Sequence, residues 1–340
     1  KSNGDLKFAE WYYGPQKRML ASVKTSIYSG NKFFDESDII VAYQNIDQER
    51  VSRNFKNDNR LNQKENVKVF SFNTDFEKQV KDKHEIRYGM EAIYNDVTSI
   101  ASTTNIVTLK EAPASTRYPD GGSTMTTGAA YLTHSFEVNR KFIITEGVRY
   151  SYIDLKSRFN DTQFFPFPFS TIKQQNNAVN GNIGLVMMPC KGWRFTLMGS
   201  SGFRAPNVDD VGKVFDSQPG TLIVPNPDLK PELAYNGELG IGKSFDDKVK
   251  VELAGFYTLL TNAIVVKNFQ YNGADSVLYD GTMSKVMATQ NADEAYVYGV
   301  SGNFYADFNE NFALKSTVNY TYGKYKDKIN NTIIPLDHIP

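Results

Sequence analysis

The stretch Lys248-Val249-Lys250-Val251-Glu252-Leu253-Ala254-Gly255-Phe256-Tyr257-Thr258-Leu259-Leu260 decides how this sequence folds. Val249, Val251, Leu253, Tyr257 and Leu259 stand at every second place, with Lys250, Glu252, Ala254 and Thr258 between them. Successive strand side chains point to opposite faces, so this spacing builds one apolar and one polar face. A helix would need apolar residues three and four apart. The same alternation runs through 84–96, where Ile86, Tyr88, Met90, Ala92 and Tyr94 oppose Arg87, Glu91 and Asn95. It returns in 191–203, with Trp193, Phe195, Leu197 and Phe203 against Arg194, Thr196 and Ser200, and again in 311–325. Gly and Asn inside these windows lower helix odds further.

Working outward, the period predicts strands at 18–28, 36–51, 65–78, 84–100, 127–138, 141–157, 177–188, 191–203, 231–244, 248–268, 284–308 and 311–325. Ordinary strands run about 5–6 residues, whereas a tilted strand crossing a bilayer needs about 9–11. The connections alternate in length. Short ones fall at 29–35, 79–83, 139–140, 189–192, 245–247 and 309–310, and long ones at 52–64, 101–126, 158–176, 204–230 and 269–283. Tight periplasmic turns and long outer loops are the pattern of outer-membrane barrels. The fold class is therefore all-β, an antiparallel transmembrane β-barrel with about 12 strands in this chain. The sequence has no run of about 18 apolar residues, which a helix would need to cross a membrane and a barrel does not.

This architecture accounts for a composition that combines a mean hydropathy of −0.45 with 20 Tyr and 23 Phe. Strand-end aromatics Tyr28, Tyr43, Phe76, Phe142, Tyr152, Trp193, Phe203, Phe245, Phe308, Phe312, Tyr322 and Tyr325 are expected to form two interfacial girdles, with the polar alternates lining a wet lumen. A soluble all-β protein with an aromatic core is the competing reading.

Lys+Arg is 38 and Asp+Glu is 38, which argues against a nucleic-acid partner. The single Cys190 excludes a disulfide framework and a Cys-rich zinc site. His84, His134 and His338 lie far apart, and no metal or cofactor site is expected. No nucleophile elbow, H-E-x-x-H or P-loop occurs, so the protein reads as no enzyme. Asp209-Asp210 and Asp246-Asp247 fall at turns, where Asp serves local hydrogen bonding.

Three segments carry a family resemblance. The first is Tyr88-Gly89-Met90-Glu91 with Asn95-Asp96-Val97-Thr98-Ser99, followed by Arg117-Tyr118-Pro119-Asp120-Gly121. The second is Gly202-Phe203-Arg204-Ala205-Pro206-Asn207-Val208-Asp209-Asp210, and the third is Pro225-Asn226-Pro227-Asp228-Leu229-Lys230-Pro231-Glu232. The last two resemble the paired F-R-A-P and N-P-[ND]-L boxes of TonB-dependent outer-membrane receptors, with a texture similar to those of Bacteroidota. The family motif thus falls on Phe203, Arg204, Ala205 and Pro206, and on Asn226, Pro227, Asp228, Leu229 and Glu232. The resemblance covers 18–340 and implies a 22-stranded barrel closed by an N-terminal plug. On that reading residues 1–340 are a partial barrel domain, an internal piece without the plug and the last strands.

The resemblance implies an outer-membrane receptor of a Gram-negative bacterium for energy-coupled uptake of a scarce solute, such as a ferric siderophore or cobalamin. Its partners would be outer-membrane lipid, the TonB energy-coupling complex acting through the absent plug, a small chelate and a possible surface lipoprotein. Haem receptors of this family carry a histidine between the two boxes. Residues 207–225 contain none, which counts against haem. A passive, complete twelve-stranded channel and a β-rich adhesin or binding protein are the alternatives.

Ligand-binding candidates lie in the predicted outer loops: Arg117, Tyr118, Arg204, Asp209 and Asp210, and the aromatic run Phe164, Phe165, Phe167 and Phe169. The aromatic run suits a hydrophobic chelate or packing between loops equally well. Inward-facing Arg87, Arg149 and Arg194 could attract anionic ligands or pair with a plug. The two boxes are expected chiefly to shape and anchor their loop. Arg204 is expected to pair with Glu232 across the hairpin.

Overall fold

The computed structural model describes residues 7–161, 163–164, 167–218, 220–246, 248–279, 282–327 and 332–335. The elements are β1 (Phe8–Tyr13), β2 (Lys17–Tyr28), β3 (Glu36–Asn54), β4 (Asn59–Val80), a 3-10 turn (Lys81–Lys83), β5 (His84–Asn105), β6 (Glu111–Pro113), β7 (Ser123–Asn139), β8 (Phe142–Arg158) and β9 (Thr171–Met187). They continue as β10 (Trp193–Arg204), α1 (Val208–Gly212), β11 (Phe215–Gln218), β12 (Thr221–Val224), β13 (Glu232–Phe245), β14 (Val249–Asn268), β15 (Ser276–Tyr279), β16 (Thr282–Asn309), β17 (Phe312–Asp327) and β18 (Thr332–Pro335).

The twelve long strands form one antiparallel meander in chain order, β2-β3-β4-β5-β7-β8-β9-β10-β13-β14-β16-β17. Each matches one of the strands read from period two. β1 continues the line of β2 along β3 after an interruption at Gly14–Gln16. β12 runs parallel to β16 over Lys285–Ala288, above the point where β17 ends.

The alternation of connections holds with one correction. The expected long loop 52–64 is a tight turn at 55–58, because β3 and β4 keep pairing up to Ser52 and Leu61. Those added residues include Arg53, Asn54, Asn59, Arg60, Asn62, Gln63 and Lys64. Above the bilayer both faces of a strand are wet, so period two disappears although the backbone ladder does not.

The outward face carries the lipid-compatible set. Among the described residues, five strands bear two outward aromatic rings ten residues apart. The pairs are Phe142 and Tyr152 on β8, Trp193 and Phe203 on β10, Tyr235 and Phe245 on β13, Tyr298 and Phe308 on β16, and Phe312 and Tyr322 on β17. Ten residues at about 3.4 Å each, tilted about 40°, span ~26 Å of height, which matches the ~25 Å apolar band of such barrels. Two of the expected girdle residues do not belong to it. Tyr28 is the register partner of Glu36 and lies on the inner parity, and Tyr325 is 8% exposed, packed against Ala263, Ala292 and Ala295.

The inner face is polar and largely self-paired. Arg149 meets Glu91 at 2.7 Å, and Arg87 meets Glu77 at 3.1 Å and Glu85 at 2.6 Å. Tyr131 donates to Asp75 beside Gly89, whose missing side chain makes room for the Tyr131 ring. His84 and His134 come together on the outward face, Nδ1 to Nε2 at 3.0 Å, and His134 Nδ1 lies 3.0 Å from Glu146.

The wall itself carries only a small buried apolar cluster among the described residues, Ala263, Ala292, Ala295 and Tyr325 on β14, β16 and β17. The main buried cluster instead lies at the long-loop end, formed by Leu155, Phe159, Ile172, Val208, Val211, Val214, Leu222, Val224, Leu229, Val286 and Ala288. A barrel wall is solvated by lipid outside and polar groups inside, so a larger soluble-type core is needed chiefly where loops fold on each other.

Candidate functional site

The described residues of 106–122, 159–170, 205–231 and 269–281 form one cap over the long-loop end. It is built around α1. Pro206 ends the pairing of β10, since proline has no N–H to give a ladder. Asn207 then starts the helix with a reciprocal cap: its Oδ1 accepts the Asp210 N–H at 3.0 Å, and Asp210 Oδ2 accepts the Asn207 N–H at 3.0 Å. Arg204 donates to both oxygens of the same carboxylate, at 2.8 and 2.9 Å.

This corrects the expected Arg204–Glu232 pair. The two are register partners, but Glu232 Oε2 accepts the backbone N–H of Ile264 at 2.9 Å. Arg204 takes the nearer acid, six residues on, which the helix cap presents to it. Val208, Val211 and Val214 bury the other side of the turn in the core.

The Arg117-Tyr118-Pro119-Asp120-Gly121 segment folds onto this helix. Tyr118 Oη donates to Asp209 at 2.7 Å, Val214 N–H donates to the Arg117 carbonyl at 3.1 Å, and Pro119 packs on Gly212. Asp209 also meets Lys213 at 3.0 Å. Burial, reinforced by Asp209, pushes the Tyr118 hydroxyl well above the usual tyrosine range. Arg117 is buried with Glu65 of β4, at 3.6 Å, and its guanidinium lies 5.4 Å from the Tyr118 ring centre. Asp120 accepts the N–H groups of Asn160 and Asp161, both at 2.9 Å, tying this segment to the aromatic loop.

In that loop Phe167 stacks on Phe169 at 5.5 Å, and Phe159 and Tyr271 meet Phe167 edge-on at 5.2 and 5.8 Å. Phe164, Phe167 and Phe169 pack partly buried against the core, while Phe165 lies outside the described residues. The second box, 225–232, is an anchor. Asn226 donates to the Thr289 carbonyl at 2.8 Å and accepts the Asp228 N–H at 3.1 Å. Gln174 of β9 donates to the carbonyls of Pro227 and Leu229, at 2.9 and 3.1 Å, and Leu229 enters the core. Asn291 of β16 holds Lys230 through both its backbone groups, at 2.8 and 2.9 Å.

Arg117, Tyr118, Arg204, Asp209 and Asp210 are thus brought into one network, with the phenylalanines on the same core. Glu65, Asp120, Gln174 and Asn291 complete the cap and carry no signal in the sequence beyond the turn-forming Asp120-Gly121. Among the described residues no group of three or more His, Cys, Asp or Glu side chains is placed to hold a metal ion.

The sequence pattern of the family described as TonB dependent receptor-like, beta-barrel, matches residues 3–340. The chain belongs to this family. Its members are outer-membrane β-barrels of Gram-negative bacteria that serve as transport receptors rather than enzymes, and this receptor barrel resides in that membrane.

Among curated relatives, the Heme/hemopexin utilization protein C of Haemophilus influenzae (strain ATCC 51907 / DSM 11121 / KW20 / Rd) is 25% identical over 230 residues, 62% of this chain and 30% of that protein. Among solved structures, the copper transporter OprC superposes with a TM-score of 0.74 at 12% identity, covering 96% of this chain and 48% of that one. The ferric yersiniabactin uptake receptor FyuA from Yersinia pestis superposes with a TM-score of 0.60 at 17% identity, covering 92% and 44%. The receptor barrel described here therefore spans about half the length of these two solved chains and under a third of the curated relative.

Proposed function

We propose that the intact protein is an outer-membrane receptor for energy-coupled uptake of an iron-bearing small chelate, with a ferric siderophore as the preferred class. The observation that carries this reading is the cap. Four loops share one apolar core at the long-loop end of a family barrel, with aromatic and charged groups concentrated there and, among the described residues, no imidazole in it. The names of similar proteins, heme/hemopexin utilization and ferric yersiniabactin uptake, support an iron-related solute. The first of these favours haem as a second reading, which would need an axial ligand other than a cap histidine. Cobalamin is a third candidate.

In the mechanism we infer, the solute binds the outer surface of the cap. A plug, supplied by a part of the protein other than the wall, is pulled by the inner-membrane TonB complex and frees the passage. The wall's self-paired Arg87, Arg149, Glu77 and Glu91 keep the passage polar. A surface lipoprotein that closes over the cap fits the same scheme.

A deletion strain grown with each of a panel of ferric siderophores, haem or haemoglobin as iron source, and separately with cobalamin, tests this. Loss of growth on one siderophore supports the reading and loss on haem alone favours the second. Normal growth throughout would refute uptake of these solutes. Steady single-channel conductance from the purified intact protein would favour a passive channel instead.

A further inference from the structure

We propose that the outward wall of β10, β13, β14 and β16 holds one phospholipid of the periplasmic leaflet, with its phosphate at Lys243 and one acyl chain in the adjoining groove. The groove measures about 410 Å³. It exists because Gly255 lacks a side chain between its register partners Leu239 and Val300. Leu197, Leu239, Leu253 and Val300 wall it and stay half exposed, at 50%, 65%, 52% and 55%. In the bilayer only acyl chains are available to cover such a slot.

Toward the short-turn side the groove reaches Phe195 and Ile241, and the next outward pair in the register is Trp193 and Lys243. Trp193 stacks on Phe195 at 5.7 Å. The Lys243 ammonium sits 4.9 Å from the Trp193 ring centre and 5.4 Å from that of Phe245, and donates to the Lys191 carbonyl at 3.2 Å. An ammonium has three N–H donors. Among the described residues no carboxylate forms an ion pair with Lys243, which stands at the level where lipid phosphates lie. A lysine just inside the lower aromatic ring reaches that level by extending its stem along apolar surface. Basic pockets between transmembrane helices hold anionic lipid headgroups, and a lysine on an apolar barrel wall offers a phosphate the same charge. The cation, the ring floor and the apolar slot lie in line, in the order of phosphate, glycerol and acyl chain.

The experiment releases the intact protein from nanodiscs of phosphatidylethanolamine and phosphatidylglycerol into native mass spectrometry. The wild type should carry one phospholipid through mild activation. Lys243→Gln should lower that occupancy about five-fold, and Lys243→Arg should retain it. Gly255→Leu should abolish it, because the new side chain fills the slot while its Cβ meets only ordinary contact, 3.8 Å from the Gly299 carbonyl oxygen. Heat-modifiable gel migration confirms that each variant is folded. Wild-type protein without retained phospholipid, or equal occupancy in all variants, would overturn the proposal. Solute uptake plays no part in this readout, so the two readings fail separately.

Discussion

Asp210 ties the helix cap to Arg204 at the entry to the loop cluster. It accepts the Asn207 N–H at 3.0 Å and takes two bonds from Arg204 at 2.8 and 2.9 Å. Asp210→Ala removes both. A lost capping partner costs about 1 kcal/mol. The Arg204 pair adds about 0.5 to 1 kcal/mol, discounted because the Arg204 side chain is 44% exposed. Together these come to about 1.5 to 2 kcal/mol, which is ~10–30-fold more frequent opening. Hydrogen exchange of amides in 205–231 reads that opening locally, without requiring the wall to unfold. A double-mutant cycle separates the partners. Arg204→Ala with Asp210→Ala should show coupling of about 0.5 to 1 kcal/mol, and Arg204→Ala with Glu232→Ala should show about zero. Coupling to Glu232 as large as that to Asp210 would refute the assignment of Arg204 to the helix cap.

Three further outcomes follow from the packing. Leu222→Ala empties a site 5% exposed and should cost about 3 kcal/mol, raising exchange ~100-fold in all four cap segments while wall amides stay protected; equal deprotection of β13 and β14 would contradict a separate core. Gly89→Val drives a side chain into the Thr74 carbonyl and the Tyr131 ring, so the yield of heat-modifiable barrel should collapse, whereas Gly128→Val, with open space around it, should fold normally. Tyr118→Phe should open 106–122 by about 1 kcal/mol at neutral pH. The Tyr118 pKa is raised on folding, so its contribution is present below the usual tyrosine value of about 10 and fades as pH climbs past it. Wild-type exchange in 106–122 should therefore accelerate in alkali more than that of the phenylalanine variant; parallel profiles would show that the hydroxyl bears no such load.

Every long strand was legible because lipid on one side and water on the other impose period two on residues such as Val249, Val251 and Leu253. Where that contrast ends, so does legibility. Arg53, Asn54, Asn59 and Arg60 look like loop yet extend β3 and β4, and β12 is held by distant partners, Lys285–Ala288 on β16 and the cap core that takes Leu222 and Val224. The three segments stood out as motifs, but composition could not say what each side chain meets. Tyr118 and Asp209 are 91 positions apart, and His84 and His134 are 50 apart. Arg204 shows the converse error. Register suggested the residue opposite, and a capping helix of five residues, too short to show a period, supplied the real partner.

The shared core of the cap has a consequence for how its loops can be exchanged. Val211 comes from one loop, Phe159 from another, Tyr271 from a third, and the Arg117–Tyr118 segment closes the helix from a fourth. Transplanting a single loop from a relative would set these residues against foreign neighbours and expose apolar surface. Grafting all four together between unchanged strands keeps the interior matched. The cap is built as one module, and chimaeras that respect that unit are the ones to build.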